Sequence, residues 1–210
     1  LAWCFKNHVY VLLMGDLLES ATRTSIGSGV YEQEGTAQDQ MEQMVCLLTP
    51  LAEAGLILGT LNGNHCDRIM QQSGVNIMKA MARELKVSYL GDACWNLFTV
   101  GKEHYTIYAL HGRTAAQYDG TVLRAVENIG HSFSADIVAM GHAHKAVNGV
   151  MLIQSVVGGQ VIERKKFIVV TGSYRKYDGG YWQTRGGRLA KLGSPLVKFF
   201  SDRHDIVITW

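Results

Sequence analysis

The chain has 210 residues, a length that fits one large domain better than two small ones. Apolar residues make up 47% and charged residues 18%, as in a soluble globular protein with a sizeable core. The net charge of +2 excludes the strongly basic footprint of a dedicated duplex-DNA binder, although a cleft could still be locally positive.

In chain order, the first apolar run is "HVYVLLMGD" (8–16), which reads as a strand ending in Gly-Asp. A long polar loop over 20–40, beginning "SATRTSIGSGVYEQEGTAQD", follows; loops of this length are often functional. Over 39–54, Met41, Met44, Val45, Leu48 and Leu51 recur at three and four and predict a helix with one apolar stripe. "GLILGTLNGN" (55–64) reads as a second strand, which puts Asn64 and His65 at its end. Ile77, Met78, Met81 and Leu85 predict a helix over 75–86. "HYTIYALHG" (104–112) and "ADIVAMGHAH" (135–144) are strands, and Val122, Val126 and Ile129 mark a helix over 119–130 between them. These strands are nearly continuous in apolar residues, as expected where both faces are covered. Alternating strands and helices argue for an α/β layered fold. After residue 147 the character changes: "GVMLIQSVVGGQ", "ERKKFIVVTGSY" and "HDIVITW" are strands between Gly-rich turns, with no helix among them. Two packed sheets with helices outside are expected.

Cys4, Cys46, Cys66 and Cys94 form no C-x-x-C pair, so neither a zinc knuckle nor a disulfide framework is indicated. A reducing, cytoplasmic setting is the simpler expectation. No run approaches the roughly 18 apolar residues of a membrane span, and "LAWCFKNHVY" has no signal-peptide core.

Four strands end alike, in "GDLLE", "GNHC", "HG" and "GHAH". Each pairs a glycine, which allows a sharp turn and a close approach to a ligand, with metal-ligating or acid–base residues. Asp16, Asn64, His65, His111, His142 and His144 are delivered to strand ends, where α/β sheets bind ligands. Alone, Asp16 would read as a helix N-cap and a single histidine as a hydrogen-bonded structural residue. On an extended segment the two histidines of His142-x-His144 would point the same way. Imidazole, carboxylate and amide oxygen together suit Mn, Zn or Fe better than Ca or Mg.

The order GD-x-x-(D/E/N), GNH, HG, GH-x-H resembles that of the calcineurin-like metallophosphoesterase superfamily, over residues 8 to about 175. The resemblance implies a two-sheet β-sandwich flanked by helices, a four-layer α/β fold, in a single domain spanning 1–210. It implies two divalent metal ions, manganese first, with zinc, iron or nickel as alternatives. Asp16 would bridge both ions; Asn64, His111 and His142 would complete the second site, and His144 would belong to the first. A hydroxide between the ions would attack a phosphomonoester or phosphodiester in line. His65 would protonate the leaving oxygen or stabilise negative charge, and Arg68 and Arg113 could clamp phosphate oxygens or be ordinary surface arginines.

Two departures accompany the resemblance. The family's first motif, D-x-H, is absent from residues 1–15, and His8 lies at the end of its strand opposite Asp16, so the chain is expected to lack the family's first strand. Cys66 stands where the family has an acid after GNH; it reads as a small buried apolar side chain, and Asp67 would point elsewhere. The segment 171–200 and the loop after Ser20 also resemble phage and prophage members of the superfamily, which favours a nucleic-acid substrate. Tyr174, Tyr177, Tyr181 and Trp182, interleaved with Arg175, Lys176 and Arg185, could stack on bases or form a packing surface. Three functions stay open: a two-metal phosphoesterase, a nuclease acting on DNA or RNA, and a non-catalytic protein-binding scaffold on the same fold. Oligomeric state is not legible.

Overall fold

A computed structural model describes residues 1–23, 25, 29–174 and 191–210. The aromatic and basic residues expected to stack on bases lie outside these residues, apart from the exposed Tyr174. The chain is a mixed α/β protein that gathers into two compact units, one formed by Leu1–Ala93 and the other by the described residues from Cys94 onward.

The first unit begins with α1 (Ala2–Lys6), which buries none of its residues, followed by β1 (Val11–Leu13) and α2 (Gly29–Glu32). Then come α3 (Ala37–Glu53), β2 (Ile57–Thr60), α4 (Asn64–Ser73) and α5 (Ile77–Glu84). β1 and β2 pair in parallel with Leu13 opposite Thr60, and Thr60 bridges on to Tyr89. The α3 stripe behaves as its spacing predicts: Met41, Leu48 and Leu51 are buried, and Met44 and Val45 pack beside them against Ile57, Met78 and Met81. α3 starts two residues before the predicted 39 because Thr36 and Asp39 form a capping box, the Asp39 N–H donating to Thr36 Oγ1 at 3.2 Å and the Thr36 N–H to Asp39 Oδ2 at 2.7 Å.

The second unit holds a five-stranded sheet in the order β3-β4-β5-β7-β6. Its strands are β3 (Ala93–Val100), β4 (Glu103–Leu110), β5 (Ile137–Met140), β6 (Ala146–Val157) and β7 (Gln160–Thr171). β4, β5 and β7 run parallel, whereas β6 returns antiparallel to β7. β5 is buried at all four positions, which explains its unbroken apolar sequence. α6 (Asp119–Gly130) buries Val122 and Val126 against Val138, Met140, Ile168 and Val170. The buried Lys166 ends this helix, its Nζ donating to Gly130 O at 2.7 Å and to Phe133 O. Burial lowers the Lys166 pKa, and the nearby Asp136 charge works against that shift.

β8 (Leu196–Phe199) and β9 (Ile206–Thr209) form an antiparallel pair. The turn between them rests on Tyr105, whose buried ring stacks on Phe199 and His204 and whose hydroxyl lies 2.7 Å from Phe200 O. From residue 147 on, the described elements are all strands, as expected. No described helix is long and apolar enough to cross a membrane.

Candidate active site

In the first unit the ends of the parallel neighbours β1 and β2 carry Gly15-Asp16 and Gly63-Asn64-His65. Asn64 and His65 do not end a strand, as their sequence context suggested. β2 stops at Thr60, and Asn64 is the first residue of α4. Gly63 is the N-cap and has no side chain to offer, so the helix start is served from elsewhere: the His65 N–H donates to Asp16 Oδ1 at 2.8 Å. A carboxylate at this position is favoured both by the unsatisfied N–H groups and by the helix dipole. A Cβ on residue 63 would strike Asp16 Oδ1 and the Asp16 main-chain nitrogen, so the close approach requires glycine.

The His65 ring lies between two carboxylates, Nδ1 at 3.2 Å from Glu19 Oε2 and Nε2 at 3.8 Å from Asp16 Oδ2. Arg68, one turn along α4, places Nη1 at 3.3 Å from Glu19 Oε1 and 3.2 Å from the Glu19 carbonyl oxygen. Burial works to raise the Glu19 pKa, but the hydrogen bond and charge of His65, then those of Arg68, carry it below the ordinary carboxylate value. Glu19 is thus the acid that braces His65, a role that sequence reasoning sought at Cys66 and Asp67 and did not assign. Its signal was present in the spacing of "GDLLE", three residues after Asp16.

Cys66 is buried, and burial first, then the Asp16 charge, pushes its thiol up to about 12. It is the packed, protonated side chain its sequence context suggested. Asp67 does point elsewhere: its Oδ1 accepts from Asn62 Nδ2 at 2.7 Å and so braces the turn before α4.

In the second unit the ends of the parallel neighbours β4 and β5 carry His111-Gly112 and Gly141-His142-Ala143-His144. The buried His111 meets His142 edge to face, with ring centroids 5.4 Å apart at 80°. A Cβ on Gly112, where φ is +75°, would lie 2.5 Å from Met140 Cγ. The expectation that the His142 and His144 side chains align on an extended segment does not hold. Both residues are left-handed, at φ 57° and 53°, and Ala143 N–H donates back to Gly141 O at 2.6 Å, so this segment is a tight turn between β5 and β6. Asp16 is left-handed too, at φ 50°. Such backbone costs a non-glycine residue about 1 kcal/mol, and it is found where surrounding structure enforces a functional geometry. Arg113 is exposed just beyond Gly112.

No protein-family model matches the chain, and no curated protein does. Among solved structures, a double mutant of Vps29 from Entamoeba histolytica is 14% identical, with 94% of this chain and 98% of that one covered at a TM-score of 0.39. A single mutant of the same protein is 19% identical at a TM-score of 0.34, with 78% and 74% covered. The wild-type protein complexed with zinc is 15% identical at 0.32, with the same coverage. Likeness of this degree carries no argument about the present chain.

Proposed function

We propose that the chain is a metal-dependent phosphoesterase of the calcineurin-like type, acting on a phosphomonoester or phosphodiester. One observation carries the reading. In each unit, two of the four glycine-flanked motifs meet at the ends of neighbouring parallel strands: Asp16 with His65 in the first, His111 with His142 in the second. That is where parallel sheets present ligand-binding side chains.

The donors fit divalent ions of the manganese, zinc or iron kind. Among the site residues the first unit offers the Asp16 carboxylate and the second the His111 and His142 imidazoles, ligand types that such ions take. Asn64 would add an amide oxygen, and His144 would serve a second ion. When bound, such ions polarise phosphoryl oxygens and lower the pKa of water. The protein's own side chains then have separate tasks. His65, braced by Glu19, would hold a proton at Nε2 for the leaving oxygen or offset its charge. Arg68, reached through Glu19, and the exposed Arg113 would bind phosphate oxygens. The finer architecture that belongs with this reading is the two-sheet sandwich flanked by helices over one domain, in a soluble cytoplasmic protein.

The test is metal content together with Mn²⁺-dependent hydrolysis of p-nitrophenyl phosphate and bis-p-nitrophenyl phosphate. Turnover that chelation abolishes and Mn²⁺ restores is expected. Metal binding with no turnover on either ester, or on DNA or RNA, would overturn catalysis in favour of the scaffold.

A further inference from the structure

We propose that β6 is a homodimer interface, pairing antiparallel and edge to edge with β6 of a second copy about a two-fold axis at Met151. The proposal is independent of the phosphoesterase reading. Among the described residues β6 is the outermost strand of its sheet, and it runs for 12 residues with no charged side chain from Ala146 to Val157. Proteins ordinarily blunt such an edge with lysine, proline, a bulge or brevity, and β6 has none of these. Val150, Leu152 and Val156 are instead 51%, 63% and 71% exposed along one face.

The hairpin also outruns its support. β5 pairs with β7 only over Phe167–Val170, whereas the β6–β7 ladder continues from Met151–Lys166 to Val157–Gln160. Among the described residues that far half is a two-stranded ribbon closed by Gly158 and Gly159, both at positive φ. A ribbon of two strands is marginal in water, and a third strand is what stabilises it.

The sequence selects a second copy as the source of that strand. An antiparallel dyad perpendicular to the sheet keeps each face on its own side, so residues of like parity oppose one another. With the dyad at Met151, Val150 opposes Leu152, Asn148 opposes Gln154 and Ala146 opposes Val156 on the exposed face. Apolar meets apolar, polar meets polar, and no like charges meet. Asn148 Oδ1 already accepts from Trp210 Nε1 at 3.0 Å, which leaves its Nδ2 as the donor toward Gln154 Oε1. Shifting the dyad to Leu152 would set Val150 against Gln154 and Asn148 against Val156, a poorer match.

Light scattering across a concentration series tests the dimer. The mass of two 23.2 kDa chains is expected, and the mass of one chain at every concentration would overturn the proposal. Leu152→Lys, and independently Val156→Lys should the first fail to fold by circular dichroism, should weaken association about tenfold or more. Val161→Lys, on the same face but one strand inward, should leave it unchanged; equal weakening by all three would overturn an edge-to-edge contact. The register is read by mild oxidation in a Cys46→Ser background. A mixture of Val150→Cys chains with Leu152→Cys chains should cross-link, whereas neither alone should, because only opposed pairs bring Cβ atoms within disulfide reach. Cross-linking of a single variant without the mixture would overturn the Met151 dyad.

Discussion

The two motif clusters, one in each unit, are held by different means. In the first unit His65 lies 3.2 Å from Glu19 and 3.8 Å from Asp16, Arg68 lies 3.3 Å from Glu19, and the helix start at Asn64 draws the Asp16 carboxylate in. In the second, His111 and His142 meet through their rings, and the backbone of the His142–His144 turn is forced into left-handed conformations. Charge pairing inside the first unit sets His65 between the Asp16 and Glu19 carboxylates. The second unit offers the His111 imidazole beside a turn on which His142 and His144 are left-handed. On the proposed reading, the first unit adds the proton and charge chemistry of His65 to a carboxylate ligand, and the second contributes imidazole ligands.

The sharpest way to break that contrast is to remove one histidine from each cluster. His142→Ala should release metal, and with it activity, by a factor on the order of 10³ or more. His65→Ala should slow turnover by about 10²–10⁴ while metal content stays near wild type. Metal analysis alongside kcat separates the two. Equal metal loss in both variants would erase the distinction between clusters.

Next in size is the contact that joins the two motifs of the first unit. Gly63→Ala must displace Asp16 or the start of α4, because its Cβ would overlap the Asp16 carboxylate and main chain. A loss of about 1–3 kcal/mol in chemical denaturation is expected, as for other overpacked sites. Gly74→Ala is a useful control at the other end of α4. Its Cβ would meet nothing within 4 Å, so it carries only the backbone cost of φ +72°.

A smaller change isolates the brace on His65. Glu19→Gln keeps the shape of the side chain and removes its charge, so kcat should fall about tenfold with KM and metal content unchanged. A fall in metal content instead would make Glu19 a ligand rather than a positioning residue. The linkage has a definite sign. Because the folded Glu19 pKa is lowered, its contacts with His65 and Arg68 contribute stability above the usual carboxylate value near 4.5 and lose it as pH falls through the lowered one.

Much of this was legible in sequence where the physics is local. The 3–4 spacing of Met41, Leu48 and Leu51 located the α3 face, and the unbroken "IVAM" located a strand buried on every side. Elements whose cause is remote were not. α4 buries only Cys66 and has a glycine N-cap, so neither stripe nor cap announces it; its start is completed by Asp16, from another strand end. β3 alternates, but exposes Trp95 and Leu97 where a polar residue would have marked the outer face. The four-residue β8 is too short for a period. At the site, residue types were legible and conformations were not. The His-x-His spacing cannot show that both residues are left-handed, nor can "GDLLE" show that Glu19 turns back to His65.

The mildest expected effect lies outside the site, at the α3 capping box, and tests whether the first unit's preference for carboxylates at helix starts is general. Hydrogen bonds from Thr36, side chain then backbone, hold the Asp39 carboxyl below its usual 3.8. A depressed carboxylate stabilises the fold above its unfolded value and loses that contribution as pH falls through the folded one. Asp39→Asn retains an acceptor for the Thr36 N–H but cannot titrate. Its melting temperature should therefore lie slightly below wild type at neutral pH, and the two should converge as acid protonates Asp39 in the wild type. Asp39 is fully exposed, so screening should shrink the gap further in high salt. A gap that persists unchanged in acid would assign the effect to amide geometry at the cap rather than to the Asp39 charge.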